Sequence, residues 1–219
     1  IYDAEEAFSK NETTKDVGLE KLYGIKPWWE IAKNKILMPR NWFKPAYIYA
    51  KKKGLIPFCT IHRNEDVNFL KKIGIPVIKI ASIDFTYFQL LEKLIKLKKP
   101  MIISTGMASS LEISQKIKFL RKKNFFNFCL LHCKSNYPPK SNEINLNNII
   151  MFKKKFKSLA GYSDHSPSVI DSIVAVANGA KIIEKHITLN RKMKGPDHKF
   201  AIEPREMIEL VDGIRRTEK

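Results

Sequence analysis

Residues 101–133 read MIISTGMASSLEISQKIKFLRKKNFFNFCLLHC. This stretch begins and ends with a short apolar run, and each run is typical of a strand that is buried on both faces. Between the two runs, Ile113, Ile117 and Leu120 fall on one face of a predicted helix over residues 110–122. A strand, a helix and a second strand in this order predict a βαβ unit, in which the two strands are parallel.

The same alternation continues on both sides of this unit. Strands are predicted over residues 55–59, 77–81, 101–104, 128–132, 159–162 and 181–184, and further helices over residues 64–72, 88–98, 167–178 and 204–216. Thr60, Ser82 and Ser104 end or follow the first three strands at intervals of 22 residues. Repeats of this length indicate a parallel sheet, either in a TIM-type (β/α)₈ barrel or in a doubly wound fold. No GxGxxG sequence follows a strand, so a dinucleotide-binding fold has no local support.

Residues 1–54 are harder to interpret. Segments 31–37 and 44–53 are predicted to be helical, and no buried strand is recognisable in the first 50 residues. Six strand–helix units are therefore visible. We expect one α/β domain over residues 1–219, a TIM-type barrel that is incomplete at its N-terminus.

The composition sets limits on function. The formal net charge is +18, but 33 of the 40 basic residues are Lys and only 7 are Arg, scattered mainly over predicted helices. Such lysines are usually solvated, so nucleic-acid binding is not expected. No apolar run is long enough to cross a membrane. The three cysteines, Cys59, Cys129 and Cys133, lack a CxxC spacing, which favours buried thiols in a cytoplasmic protein.

Polar side chains follow every predicted strand at its carboxyl end, where parallel α/β proteins place their active sites. His165 and His186 follow successive strands, and two neutral imidazoles with solvent suit a divalent transition metal. An isolated histidine is more often structural, but Asp164, Glu184 and Asp197 nearby in sequence favour the metal interpretation. Lys79 lies within an apolar strand, where it is expected either to bind an anion or to pair with a carboxylate.

Several motifs occur in a fixed order along the chain. They read KIASID (79–84), STGMA (104–108), LHC (131–133) with YP (137–138), GYSDH (161–165), and EKH (184–186) with GPDH (195–198). Together they resemble the N-acetylneuraminate (sialic acid) synthase family, which includes the legionaminic and pseudaminic acid synthases. The resemblance runs from about residue 55 to residue 216, and residues 1–54 match poorly.

The resemblance implies a TIM barrel that binds Mn²⁺ or a similar divalent ion such as Mg²⁺ or Co²⁺. By position, His165 and His186 match the metal ligands. The substrate-binding positions are matched by Lys79, Ser82, Ser104, Thr60, Ser135, Ser163 and Asp197, the last of which faces the sugar. The catalytic candidates are Asp84 and Glu184, which match acidic positions near the reacting centre, and Tyr137, which also matches a position that holds phosphoenolpyruvate.

The implied reaction joins phosphoenolpyruvate to an N-acetylated hexosamine. Carbon 3 of phosphoenolpyruvate attacks the aldehyde of the open-chain sugar, water adds at carbon 2, and phosphate leaves with cleavage of its carbon–oxygen bond. The product is a sialic acid-type nonulosonic acid. Two alternatives remain open: a truncated or divergent barrel that binds ligand without turnover, and another barrel lyase or aldolase.

The chain departs from the family pattern at three places. After Thr60 the family usually continues Pro-Phe-Asp or Pro-Phe-Ser, whereas this chain has Ile61-His62-Arg63-Asn64. The first two strands of the barrel are not recognisable, and the antifreeze-like C-terminal domain has no counterpart after Lys219. The chain as given is therefore interpreted as a truncated or divergent barrel, and a homodimer is expected for the full-length protein.

Overall fold

The computed structural model of the protein describes residues 8–219, except for the side chain of residue 40. Within that range six strands form one sheet, and they are hydrogen-bonded in sequence order with every neighbouring pair parallel. The strands are β1 Cys59–Thr60, β2 Ile78–Ile80, β3 Met101–Ser104, β4 Phe128–Cys133, β5 Leu159–Asp164 and β6 Ile183–Lys185. The predicted α/β class and parallel sheet are confirmed.

The sheet is curled rather than flat. Four strand spacings separate β2 from β6, which is about 19 Å in a flat sheet. Nevertheless, Nζ of Lys79 on β2 lies 3.5 Å from Oε2 of Glu184 on β6. Two side chains cannot span the flat-sheet distance, so the sheet bends into the partial barrel that the sequence predicts.

Helices precede and alternate with the strands, and the later ones form a layer against the sheet. They are α1 Glu20–Tyr23, α2 Trp28–Ile31, α3 Arg40–Lys52, α4 Val67–Ile73, α5 Phe88–Ile95, α6 Ser110–Lys122, α7 Asn147–Phe156, α8 Ile170–Ala177 and α9 Pro204–Thr217. A π-helical segment, Ala32–Ile36, continues α2, and short 3₁₀ turns occupy Asn64–Asp66, Ser82–Asp84 and Ser141–Glu143. Among residues 8–219, no helix has both the length and the apolarity of a membrane span.

Helix α6 shows how the sequence produces this layer. Ser109 and Glu112 form a capping box, in which each side chain accepts a hydrogen bond from the backbone of the other. The apolar face then buries Ile113, Ile117 and Leu120 against the sheet, where each is 3% exposed or less. The helix has the predicted bounds of 110–122, because the N-terminal cap and the apolar face both indicate the same segment.

The first predicted strand, over residues 55–59, is wrong in most of its length. Sheet pairing starts at Cys59, while Leu55 and Ile56 are 64% and 68% exposed. In the described residues β1 has a neighbour on one side only, so residues 55–58 have no second strand to cover them. In contrast, β4 and β5 extend one and two residues beyond their predicted ends.

The N-terminal segment contributes helices and no strand to the sheet over residues 8–54. The helical predictions for 31–37 and 44–53 are confirmed, since Ala32–Ile36 and Arg40–Lys52 are helical. Residues 1–7 of the expected domain lie outside the described residues. Helix α7 is not among the predicted helices, although Ile149, Phe152 and Phe156 form its buried face.

Candidate active site

A cavity of about 700 Å³ opens at the carboxyl ends of the strands. Eleven of the twelve predicted site residues line it: Thr60, Lys79, Ser82, Ser104, Ser135, Tyr137, Ser163, His165, Glu184, His186 and Asp197. The remaining lining residues are His62, Ala81, Ile83, Met107, Cys133 and Lys185. Because parallel strands all end on the same side, residues as far apart as Thr60 and Asp197 meet in one place.

Lys79 lies at the centre of this cavity and is 6% exposed. Its ammonium group donates to Oγ of Ser104 at 2.8 Å and to the carbonyl of Ile80 at 3.2 Å. Oε2 of Glu184 is a third oxygen neighbour at 3.5 Å. The anion-ligand and carboxylate-pair interpretations of Lys79 are therefore compatible, because the lysine contacts a carboxylate and also lines the cavity.

Glu184 joins three strands at the cavity wall. Its Oε1 accepts a hydrogen bond from Oγ of Ser163 on β5 at 2.6 Å, while Oε2 faces Lys79 on β2. Oγ of Ser163 is also 3.5 Å from Nε2 of His165. Glu184 therefore orients both the central lysine and a serine hydroxyl, and both of its oxygens are occupied in this arrangement.

The two predicted metal ligands lie close together. The ring centroids of His165 and His186 are 5.3 Å apart, and Tyr137 stacks on His165 at 4.0 Å. Nδ1 of His165 donates to the carbonyl of Lys134 at 2.9 Å, and Nδ1 of His186 is 3.5 Å from Oδ2 of Asp197. The contact with His186 lowers the pKa of Asp197, which therefore stays ionised.

These two imidazoles fit an open metal site. An ion about 2.1 Å from one nitrogen of each ring requires centroids no more than about 6.5 Å apart, and the observed separation satisfies this. Nδ1 of each ring has an oxygen neighbour, as is usual for histidines that bind a metal through Nε2. Burial lowers the pKa of His165, which favours the neutral, metal-binding form. Across residues 8–219 no three His, Cys, Asp or Glu side chains form a complete cage.

A cradle of small polar groups forms the cavity floor. The amide of Gly106 donates to Oγ of Ser82 at 2.9 Å. A Cβ at residue 106 would lie 2.2 Å from Oγ of Ser135, 2.9 Å from Oγ of Ser82 and 3.0 Å from Sγ of Cys133. Glycine is therefore required at this position to leave the cradle open. Burial raises the pKa of the Cys133 thiol, so it remains neutral among these hydroxyls.

Two acidic residues that the sequence associates with the site do not line the cavity. Asp84 is 8% exposed, and its Oδ2 lies 2.6 Å from Nδ1 of His62, which does line it. Asp164 is fully buried and pairs with Lys185 at 2.7 Å, while Ser172 donates to it at 2.6 Å. Asp164 is therefore not part of the cavity wall: its carboxylate pairs with the ammonium group of Lys185, which does line the cavity.

His62, Cys133 and Lys185 line the cavity but are not among the predicted site residues. Cys133 and Lys185 are the last residues of β4 and β6, so the rule that strand ends line the site could have found them. His62 follows β1 by two residues and lies in the segment where the sequence departs from the family pattern.

This arrangement is suited to small polyanionic substrates. One ammonium group, a set of hydroxyl donors and two imidazoles surround a space that no large apolar residue fills. Hydroxyl and ammonium donors are typical of phosphate and carboxylate binding. The fold and the site together define a parallel α/β partial barrel with a polar cavity around a buried lysine at the carboxyl ends of its strands.

Comparison with known proteins identifies the family. The model of the NeuB family matches residues 1–219, and the chain belongs to this family. The match includes residues 1–54, where the motifs themselves show little resemblance. The resemblance stated from the sequence is confirmed.

Named relatives agree with this assignment. The chain is 40% identical over 178 residues to N,N'-diacetyllegionaminic acid synthase of Campylobacter jejuni, a match that covers 80% of this chain and 53% of the relative. It is 34% identical over 206 residues to human N-acetylneuraminate-9-phosphate synthase, with 92% and 57% covered. The chain therefore spans about half the length of the curated relatives it matches.

A solved structure extends the agreement to the fold. The crystal structure of N-acetylneuraminic acid (sialic acid) synthetase from Leptospira borgpetersenii, in complex with citrate, superposes with a TM-score of 0.84 at 34% identity. The superposition covers 99% of this chain and 70% of that one.

Proposed function

We propose that this chain is the barrel part of a synthase that condenses phosphoenolpyruvate with an N-acetylated amino-sugar aldehyde, giving a sialic acid-type product and phosphate. The observation that carries the proposal is the single cavity in which Lys79, the serine hydroxyls and the paired histidines meet. Membership of the NeuB family and the names of the relatives support it.

Phosphoenolpyruvate would bind on the Lys79 side of the cavity. Its carboxylate and phosphate need several donors, and Lys79, Ser82, Ser104 and Ser135 supply an ammonium group and hydroxyls within one wall. Ser104 is already oriented by its hydrogen bond from Lys79. Holding the enolpyruvate in one orientation lowers the entropic part of the barrier to carbon–carbon bond formation.

The sugar would enter from the side of His186 and Asp197. Asp197 is exposed at the rim and ionised, so it can accept hydrogen bonds from sugar hydroxyls. His165 and His186 would hold a divalent ion, proposed to be Mn²⁺, which supplies a Lewis acid for the aldehyde oxygen. Tyr137, stacked on His165, keeps that imidazole in place.

Glu184 would act by orienting its neighbours. Its two oxygens contact Ser163 and Lys79, so it fixes both groups against the substrate. The surroundings of Lys79 also favour a synthase over a Schiff-base aldolase, since three oxygen neighbours suit a charged ammonium group rather than the neutral amine that attacks a carbonyl. Borohydride should therefore not trap a substrate on Lys79.

The decisive experiment measures phosphate release by the full-length protein with Mn²⁺, phosphoenolpyruvate and a panel of N-acetylated hexosamines, N-acetylmannosamine among them. Sugar-dependent release is the expected result, and Lys118→Met, at an exposed position on α6, is the matched control for substitutions of cavity lysines. Absence of release with every sugar would contradict the proposal. Calorimetric binding of phosphoenolpyruvate without release would instead support a barrel that binds ligand without turnover.

A further inference from the structure

A buried ion pair joins the ends of β5 and β6 directly beside the two candidate metal ligands. Asp164 is the last residue of β5 and Lys185 is the last residue of β6, and the two form the final pair of the parallel ladder between these strands. His165 and His186 are the residues that follow them. Both histidines therefore leave the sheet at the point where the ion pair connects the two strands.

The ammonium group of Lys185 has an oxygen partner for each of its hydrogens. Nζ lies 2.7 Å from Oδ2 of Asp164 and donates to the carbonyls of Ser166 and Ser168 at 2.5 Å and 2.8 Å. A lysine carries three donors, and this side chain is only 3% exposed. Lys185 lines the cavity, but its nitrogen is therefore committed to the protein rather than to a substrate.

The carboxylate of Asp164 holds the same loop at a second point. Its Oδ1 accepts the amide hydrogen of Ser166 at 2.8 Å, and its Oδ2 accepts a hydrogen bond from Oγ of Ser172 on α8 at 2.6 Å. The amide and the carbonyl of Ser166 are thus both bonded to the ion pair. Because His165 lies between Asp164 and Ser166 in the chain, its backbone is fixed on both sides.

Other contacts of the two histidines act on their rings. Nδ1 of His165 donates to the carbonyl of Lys134 at 2.9 Å. Nδ1 of His186 is 3.5 Å from Oδ2 of Asp197. These contacts determine how each imidazole is turned, whereas the ion pair connects the two backbones from which the rings project.

The distance between the two backbones matters because one ion must reach a nitrogen of each ring. The ring centroids of His165 and His186 are 5.3 Å apart, and bonds from a metal such as zinc to a histidine nitrogen are about 2.0–2.1 Å long. The groups of a metal or catalytic site must be held to within about 0.5 Å of the productive geometry. A contact that sets this distance therefore determines how well the ion is held.

We propose that the Asp164–Lys185 pair is a positioning element that fixes the distance between the backbones of His165 and His186, and thereby the geometry in which their imidazoles hold a divalent ion. The inference rests on the proposed function, in which these histidines bind the ion. Neither Asp164 nor Lys185 is a ligand of the ion, and both act through the histidines that follow them.

Removal of both charges separates a positioning role from a purely stabilising one. Asp164→Asn and Lys185→Met each leave one buried charge unpaired, so each is expected to lower the urea midpoint of unfolding. The double variant Asp164→Asn/Lys185→Met has no unpaired charge and is expected to regain most of that loss. Its affinity for Mn²⁺ is expected to stay about 10- to 100-fold below native, the usual effect of changing the groups that orient metal ligands.

The affinity is measured on the full-length protein, from the electron paramagnetic resonance signal of free Mn²⁺. The matched control is Glu92→Gln/Lys123→Met, which removes an exposed ion pair between α5 and the end of α6 and should leave Mn²⁺ affinity unchanged. Native affinity in a stable double variant would overturn the inference.

Lys185→Arg serves if the double variant does not fold. Arginine keeps the charge, but its planar guanidinium cannot reproduce the three hydrogen bonds of the ammonium group. The same loss of Mn²⁺ affinity is therefore expected, and native affinity in this variant would equally overturn the inference.

A second measurement needs neither metal nor turnover. Crystal structures of the metal-free native protein and of the double variant, or of Lys185→Arg in its place, are compared through the distance between the ring centroids of His165 and His186. A difference of more than about 0.5 Å is expected, and equal distances would overturn the inference. Failure of the native protein to bind Mn²⁺ would instead contradict the metal role of the histidines in the proposed function, and the two crystal structures would still decide the positioning role.

Discussion

The cavity and the layer between the sheet and α6 each bury a lysine, and they do so in opposite ways. Lys79 in the cavity has a hydroxyl, a carbonyl and a carboxylate around its nitrogen. Lys116 in the helix layer is 1% exposed and has no hydrogen-bond partner; its nitrogen lies 4.6 Å and 5.4 Å from the ring centroids of Phe85 and Phe88.

Lys79 is therefore placed to bind a ligand, whereas Lys116 is buried against two aromatic rings without a hydrogen bond. A buried ammonium without partners is costly, and burial lowers the pKa of Lys116 to about 8. The polar surroundings of Lys79 compensate its burial and leave it facing a cavity that can accept an anion. Substitution of the first lysine should therefore affect binding, and substitution of the second should affect stability.

The largest effect is expected from Lys79→Met. Removing one partner of a buried charge-assisted contact costs about 2–5 kcal/mol, so kcat/KM for phosphoenolpyruvate should fall by about 30- to 4,000-fold. Lys118→Met on the surface of α6 should leave the rate unchanged. A rate for Lys79→Met within a few-fold of native would break the contrast between the two regions.

Asp164→Asn tests a third buried lysine side chain, that of Lys185 at the end of β6. The substitution leaves the ammonium of Lys185, which is 3% exposed, without its buried counter-charge. Loss of one partner of a buried pair costs about 3–5 kcal/mol, and the free energy of unfolding measured in urea should fall by about this amount. Asp212→Asn on α9 is an exposed control. Unchanged stability would show that the pair is not structural.

Gly106→Ala should affect ligand binding with little effect on the backbone. The new methyl group would lie 2.2 Å from Oγ of Ser135 and crowd Ser82 and Cys133. Overpacking costs about 1–3 kcal/mol, so phosphoenolpyruvate affinity should fall by about 10-fold or more in calorimetry. Adding Ser135→Ala should recover part of the loss. Native affinity in Gly106→Ala would contradict the assignment of the cradle as the anion site.

The smallest effect is expected from Lys116→Met, and it has the opposite sign. Because the pKa of Lys116 is about 8 in the folded chain and 10.5 is the ordinary value, the unfolded state binds more protons between these pH values. Native stability therefore rises with pH across this window, and below about pH 8 the full cost is present.

Lys116→Met should remove both this cost and its pH dependence. After loss of the contacts with the two rings, the expected gain at pH 7 is about 1–2 kcal/mol, measured by urea unfolding at pH 7 and pH 10. The gain should be smaller at pH 10 than at pH 7. Destabilisation at pH 7 would show that the contacts with the rings outweigh the cost of burial.

The fold was predictable because two independent patterns agree along most of the chain. Apolar runs alternate with helical faces, and each run ends in polar residues, as in Ser104 and His165. The first strand was not predictable in this way, since residues 55–58 are apolar but only one neighbouring strand is available to β1. An apolar pattern shows which residues can be buried, but a neighbouring strand must be present to bury them.

Side-chain direction explains why Asp164, which the sequence associates with the site, does not line the cavity. Successive residues of a strand point to opposite faces, so Ser163 and His165 line the cavity while Asp164 between them turns away to Lys185 and Ser172. This alternation could have excluded Asp164 beforehand. The contact between Asp84 and His62 could not be derived, because both lie in loops whose path the periodicity does not determine.

The most direct test of the central claim is calorimetric titration of phosphoenolpyruvate into the native chain and into Lys79→Met. We expect one site per chain in the native protein, and loss of that binding in the variant while its free energy of unfolding stays close to the native value. Equal binding by both proteins, or no binding by the native chain, would contradict the claim that this cavity holds the enolpyruvate substrate around Lys79.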